Sequence, residues 1–173
     1  MNIKQLEGIG IVSIVAACST QGQAFLVDRL AWSPTGAGYA PREFSIDFGG
    51  GYATRDKGGA DKDAFGIALG VNYFITENIG AGVDTYADAF TAPYALNFSG
   101  IYRYPISDTG FAPYGFAGFG RQWEHAAQWT GHIGLGLEFR VNTHTGLFLD
   151  GRRVFADTTS DYALWRLGLR FGF

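Results

Sequence analysis

An all-β fold, an antiparallel up-and-down barrel of about eight bilayer-spanning strands, is predicted by three observations on this 173-residue sequence. From residue 44 onward, apolar side chains alternate with small or polar ones at a period of two, the mark of strands with one greasy face. The alternating segments run about 10 to 12 residues, which is what a tilted strand needs to cross a hydrocarbon core. Mean hydropathy is only +0.02 although aromatics make up 16% of the chain. Strands that hide their apolar half in the average give such a value, whereas a helical membrane protein needs unbroken apolar runs of about 20 residues.

The elements follow in order. Lys4 precedes an apolar run over 9–17, which reads as a signal peptide covering 1–24 and cleaved after Gly22-Gln23-Ala24. Val15-Ala16-Ala17-Cys18 resembles a lipobox, so lipidation at Cys18 is the alternative exit. Cys18 is the single cysteine, which excludes an internal disulfide and any cysteine-based zinc site. Residues 25–43 hold Pro34, Gly36, Gly38 and Pro41 without a sustained period and are read as a periplasmic lead-in. Strands are expected over 44–53, 63–74, 79–89, 94–104, 111–123, 129–141, 146–156 and 162–173, so the barrel domain is 44–173. Residues 76–78, 107–110 and 142–145 are tight polar turns of periplasmic type, rich in Asn, Asp, Ser and Thr. The intervening connections, at 55–62, 90–93, 124–128 and 157–161, are expected outer loops, all short.

Alternation assigns the faces. Phe65, Ile67, Leu69, Val71 and Tyr73 share one side of the second strand; Ile133, Leu135, Leu137 and Phe139 share one side of the sixth; Trp165, Leu167, Leu169, Phe171 and Phe173 share one side of the eighth. The opposite sides carry small and charged residues and are read as the lumen, because a barrel of about eight strands is narrow inside. Asp47, Glu138, Arg140, Asp150, Arg152, Arg166 and Arg170 all take inward parity and are expected to form a salt-bridged network that fills the lumen. Arg153 breaks the alternation, so a bulge or a rim position where it can snorkel is expected. Two aromatic girdles are expected at the strand ends. One holds Phe74, Tyr104, Phe111, Tyr114 and Phe148; the other holds Tyr86, Trp123, Trp129, Phe155 and Trp165.

The last eight residues, Arg166 to Phe173, place a polar residue at Arg166, a glycine at Gly168 and aromatics at Phe171 and Phe173. This run resembles the C-terminal β-signal of bacterial outer-membrane proteins. Over 44–173 the chain is similar to small barrels of the OmpA/OmpX-like family. The resemblance implies an outer-membrane location in a diderm bacterium, a monomer, contact with outer-membrane lipid and lipopolysaccharide, and delivery by the barrel-assembly machinery. It also implies a structural or surface-interaction role. Three alternatives stand beside it: a lipid A acyl hydrolase, a narrow porin-like pore and a soluble ligand-binding barrel. The late strand also resembles that of lipid A deacylases of the PagL type in its glycine and aromatic spacing. Their His-x-Ser motif has no counterpart in 150–157, so that acyl transfer route lacks its nucleophile and base.

Other chemistry is weakly signalled. A formal charge of -3 and the lack of any Lys/Arg cluster argue against a nucleic-acid partner. The glycine-rich 115–120 lacks the Lys-Ser/Thr ending of a phosphate loop. His125, His132 and His144 fall in an outer loop, the lumen and an opposite turn, so no shared metal is expected. Arg55, Lys57 and Lys62 are candidate contacts to lipopolysaccharide phosphates. No cofactor and no enzyme activity are expected.

Overall fold

The computed structural model describes residues 38–55, 64–88, 93–123, 127–157 and 161–173. Eight strands follow one another: β1 (Glu43–Arg55), β2 (Ala64–Phe74), β3 (Ile79–Asp88), β4 (Pro93–Arg103), β5 (Phe111–Gln122), β6 (Gln128–Arg140), β7 (Thr145–Ala156) and β8 (Tyr162–Gly172). Each pairs antiparallel with its sequence neighbours, and β1 pairs with β8, so the sheet closes into a barrel without an edge. Every expected strand is present, with ends shifted by two residues or fewer, and Glu43 belongs to β1 rather than to the lead-in. The expected signal segment with Cys18, residues 25–37, and the loop tips 56–63, 89–92, 124–126 and 158–160, with Lys57, Lys62 and His125, lie outside the described residues.

Local chemistry explains the tight turns. After β2, Thr76 Oγ1 accepts from the amides of Asn78 at 3.2 Å and Ile79 at 2.9 Å. After β6, Asn142 Oδ1 accepts from the amides of His144 at 2.9 Å and Thr145 at 2.8 Å. Both are side-chain mimics of a backbone turn. Between β4 and β5 the chain reverses through left-handed Asp108 and Gly110, residue types that tolerate positive φ. These three turns and both barrel termini share one end, hereafter the turn end; the other is the loop end.

The exterior is apolar. Leu135 is 74% exposed and Phe65 72%, and Leu69, Ile133, Leu149, Trp165 and Leu167 also face out. The inside holds the charges, the reverse of a soluble ligand-binding barrel. Parity also corrects the girdles. Phe74, Tyr86, Tyr114 and Phe148, expected at the interfaces because they lie towards strand ends, are buried in the lumen. Their side of the pleat, not their height along the strand, decides what they touch. Phe111, Phe155, Trp123, Trp129 and Trp165 do face outward. No bulge accompanies Arg153, since β7 keeps continuous register with β6 and β8 around it. It sits near the loop rim, with Nη2 3.8 Å from Asp161 Oδ2.

Candidate functional site

The lumen carries the chemistry. Its buried carboxylates and guanidinium groups, among the described residues, are Glu43, Asp47, Asp84, Glu138 and Asp150 against Arg103, Arg140, Arg152, Arg166 and Arg170. Five carboxylates thus face five guanidinium groups, and the contacts sort them into two neutral clusters.

The turn-end cluster is built on Glu138, which is fully buried. It accepts from Arg140 Nε at 2.9 Å and Arg170 Nη1 at 2.7 Å, and Arg103 Nη1 lies 3.6 Å away. Arg170 also grips Asp47 with Nε and Nη2, both at 2.7 Å, a bidentate pair set by the direct register of β1 against β8. Glu43 receives Arg103 Nη1 at 3.0 Å and Arg140 Nη2. Asn72 Nδ2 donates to Asp47 at 3.0 Å and to Ser45 at 3.2 Å. Three acids and three arginines close this set.

The second cluster has two of each. Asp150 and Arg166 are register partners on β7 and β8, and the guanidinium binds the carboxylate at 2.8 and 2.7 Å. Arg152 reaches across the lumen to Asp84 with a second fork, at 3.0 and 2.9 Å, and Arg166 lies 3.4 Å from the same carboxylate. Tyr114 donates its hydroxyl to Asp150 at 2.8 Å, and Asn97 Nδ2 donates to Asp84 at 3.1 Å. Rings fill the space between: Phe74 lies 3.7 Å beneath Arg103, Phe116 faces Arg152 at 5.0 Å, and Phe148 sits 5.4 Å from Arg170. Gly134 and Gly136 make room for them, since a Cβ at either would strike the ring of Phe116 or Tyr114.

All seven lumen residues named from the sequence lie in these clusters. Three members escaped that reading. Glu43 stands one residue before the expected barrel start. Asp84 shares parity with Gly80 and Gly82, and Arg103 with Asn97 and Ser99, so alternation alone could have placed both inside.

A short segment ahead of β1 caps the turn end. The chain turns through left-handed Arg42 and lays the Tyr39 ring against Arg140 at 4.2 Å and Arg103 at 4.4 Å. The Tyr39 hydroxyl donates to the Gly110 carbonyl at 2.8 Å, and Arg140 Nη1 donates to the Gly38 carbonyl at 2.8 Å. Burial, reinforced by the Glu138 charge, pushes the Tyr39 hydroxyl above its ordinary pKa, so it remains a donor.

The loop-end half of the lumen is polar but uncharged, with Asn97, Ser99, Gln122, Gln128, Thr130 and His132 buried. Ser99 Oγ and His132 Nε2 are 2.9 Å apart, spanning β5 above Gly118. His132 Nδ1 has no hydrogen-bond partner among the described residues, so no acid orients this ring as a catalytic triad requires. Among the described residues no group of three His, Cys, Asp or Glu side chains could hold a metal ion.

At the seam, Gly168 of β8 faces Gly49 of β1, and a Cβ on Gly168 would collide with the β1 backbone. Phe173 and Phe44 exchange backbone hydrogen bonds at 2.8 and 3.3 Å, with ring centroids 6.2 Å apart. Of the four residues read as a C-terminal signal, Arg166 is therefore also a lumen ligand and Gly168 a packing necessity. Phe171 is half-buried, and Phe173 is exposed.

This architecture has known counterparts. OprG of Pseudomonas aeruginosa superposes with a TM-score of 0.62 at 11% identity, over 80% of this chain and 99% of that one. The fold is that of the small eight-stranded outer-membrane barrels. The N-terminal β-barrel domain of P. aeruginosa OprF gives 0.59 at 17% identity, over 77% of this chain and 98% of that one. A barrel from a de novo transmembrane design gives 0.58 at 17% identity, over 77% and 97%. A designed chain with this fold shows that the architecture by itself assigns no activity. No protein-family model and no curated protein sequence matches the chain.

Proposed function

We propose that the chain is an integral outer-membrane barrel whose lumen is closed by its own side chains, and that its role is structural or surface-interactive. The observation that carries this reading is the charge balance inside an apolar wall: among the described residues five buried acids and five buried arginines, each in contact with an opposite charge. An ion crossing the lumen would have to break buried bidentate pairs, and a conducting path needs charges free to exchange partners. The same reading places the loop end outward and the turn end in the periplasm, with export by the N-terminal signal and insertion by the barrel-assembly machinery. It gives the chain a monomeric state, lipid and lipopolysaccharide as neighbours, and no enzyme activity. The Ser99–His132 contact supports the last point, because both side chains are buried on the inner face of the barrel, away from its apolar exterior.

Planar-bilayer recording tests the closed lumen. The reading expects silent membranes from the native chain and current steps only after Glu138→Ala or Arg166→Ala; steady conductance from the native chain would overturn it. Mass spectrometry of lipid A from cells with and without the protein tests for hydrolysis, and loss of an acyl chain only in expressing cells would restore the enzyme reading.

A further inference from the structure

The outer wall is not uniformly ridged. Along one line of register, Tyr73 pairs with Ala81, Ala81 with Gly100, Gly100 with Ala117 and Ala117 with Ile133. Three consecutive strands therefore present small outward residues, Ala81, Gly100 and Ala117, side by side, between the tall rims Tyr73 and Ile133. Phe98 and Phe119, stacked with centroids 5.6 Å apart, close the trough towards the loop end. The hollow comprises two adjoining spaces of about 610 and 460 Å³ that share Gly100 and Ala117, each of ligand-binding size.

Directly above it on the same strand face stands a cation. Ala117, Phe119 and Arg121 share outward parity on β5, so Arg121 lies about 13 Å along the strand from the trough floor. Arg121 is exposed and lies over the Trp129 indole at 5.4 Å, and Trp129 in turn contacts Phe119 with centroids 6.2 Å apart. Arg153, on the outer face of β7, has Asp161 nearby; Arg121 has no carboxylate within ion-pair distance among the described residues. A cation fixed at interface height, with an aromatic slide leading down to an apolar hollow, has the charge and shape complementary to an anionic headgroup carrying an acyl chain.

We propose that the β3–β5 wall is a docking site for one phospholipid of net negative charge, its anionic headgroup on Arg121, one acyl chain passing over Phe119 and settling against Ala117, Gly100 and Ala81. The site rests on the reading that the barrel spans a membrane. The test uses the full chain in detergent, with heat-modifiable gel migration checked first, then native mass spectrometry after exposure to equal amounts of phosphatidylglycerol and phosphatidylcholine of matched chains. One phosphatidylglycerol is expected to be retained, in about fivefold preference, the factor one basic residue contributes at an anionic lipid surface. Arg121→Gln is expected to abolish the preference, and Arg153→Gln to leave it unchanged. Gly100→Leu with Ala117→Leu fills the trough and is expected to lower retention of both lipids severalfold. The fold tolerates the first change, because a Cβ at Gly100 meets nothing nearer than 3.9 Å. A native chain without preference, or an Arg121→Gln variant that keeps it, overturns the site. Migration that heating does not alter would instead sink the membrane-spanning reading beneath it.

Discussion

Glu138→Gln removes one charge from the centre of the lumen while keeping the side-chain volume. The native carboxylate is 0% exposed and takes hydrogen bonds from Arg140 at 2.9 Å and Arg170 at 2.7 Å. After the change Arg103, Arg140 and Arg170 face only Glu43 and Asp47, so one buried positive charge is uncompensated. Breaking a buried pair by deleting one partner costs about 3 to 5 kcal/mol, and the retained amide oxygen, which still accepts, puts the expectation near the lower figure, about 3. Reversible urea unfolding of the barrel in micelles, followed by tryptophan fluorescence and extrapolated linearly, reads this difference. A second variant sharpens it. Adding Arg140→Gln restores two acids against two arginines, so the double variant should be more stable than the sum of the singles predicts, by about 1 kcal/mol or more. Single changes that each cost under about 1 kcal/mol and simply add would mean that water screens the lumen charges, and the closed-lumen reasoning would fail.

Three further outcomes follow from the same geometry. Gly136→Ala drives a methyl group into the Tyr114 ring and should destabilise the barrel by about 1 to 3 kcal/mol, with a changed near-ultraviolet circular dichroism signal; an unaltered spectrum at native stability would show that the ring is free to move. Tyr39→Ala uncovers the turn end, so a thiol introduced by Ser45→Cys should react with a small methanethiosulfonate faster than in the Tyr39 background, and equal rates would mean that Tyr39 covers nothing. Phe173→Ala should leave spontaneous refolding in detergent within about 1 kcal/mol of native, since the ring is exposed, yet lower the amount reaching the membrane in cells; equal insertion would remove the assembly role of the C-terminus.

The strands were legible because an apolar exterior around a polar interior demands strict alternation, and alternation is a local property of the chain. Their hydrogen-bond partners followed from the short turns. Inward parity placed Asp47, Asp150, Arg166 and Arg170 in the lumen, but the direct pair Asp47–Arg170 depends on closure of β1 onto β8, whereas Asp150–Arg166 joins consecutive strands. Contacts across the lumen were not legible. Asp84 meets Arg152 from β3 to β7, and Glu43 meets Arg103 from β1 to β4, distances set by strand tilt and closure that no local pattern encodes. Tyr39 was hidden for a different cause: it lies in an aperiodic stretch where parity has no meaning. The misplaced rings Phe74, Tyr86, Tyr114 and Phe148 came from weighing height along the strand above parity, although parity is the stricter constraint when one side is hydrocarbon and the other is a crowded interior.

Two of the five buried guanidinium groups among the described residues, Arg166 and Arg170, arrive on the final strand. Until β8 docks, Asp150 lacks its forked partner, and Asp47 likewise. Among the described lumen residues, the open sheet formed by the first seven strands would therefore hold five acids against three arginines, an excess of negative charge that water must solvate. Joining the last strand to the first expels that water and cancels the excess in one event, so shape and electroneutrality are completed together. A chain lacking β8 would leave Asp47 and Asp150 without their forked partners, so the last strand finishes the interior as well as the wall.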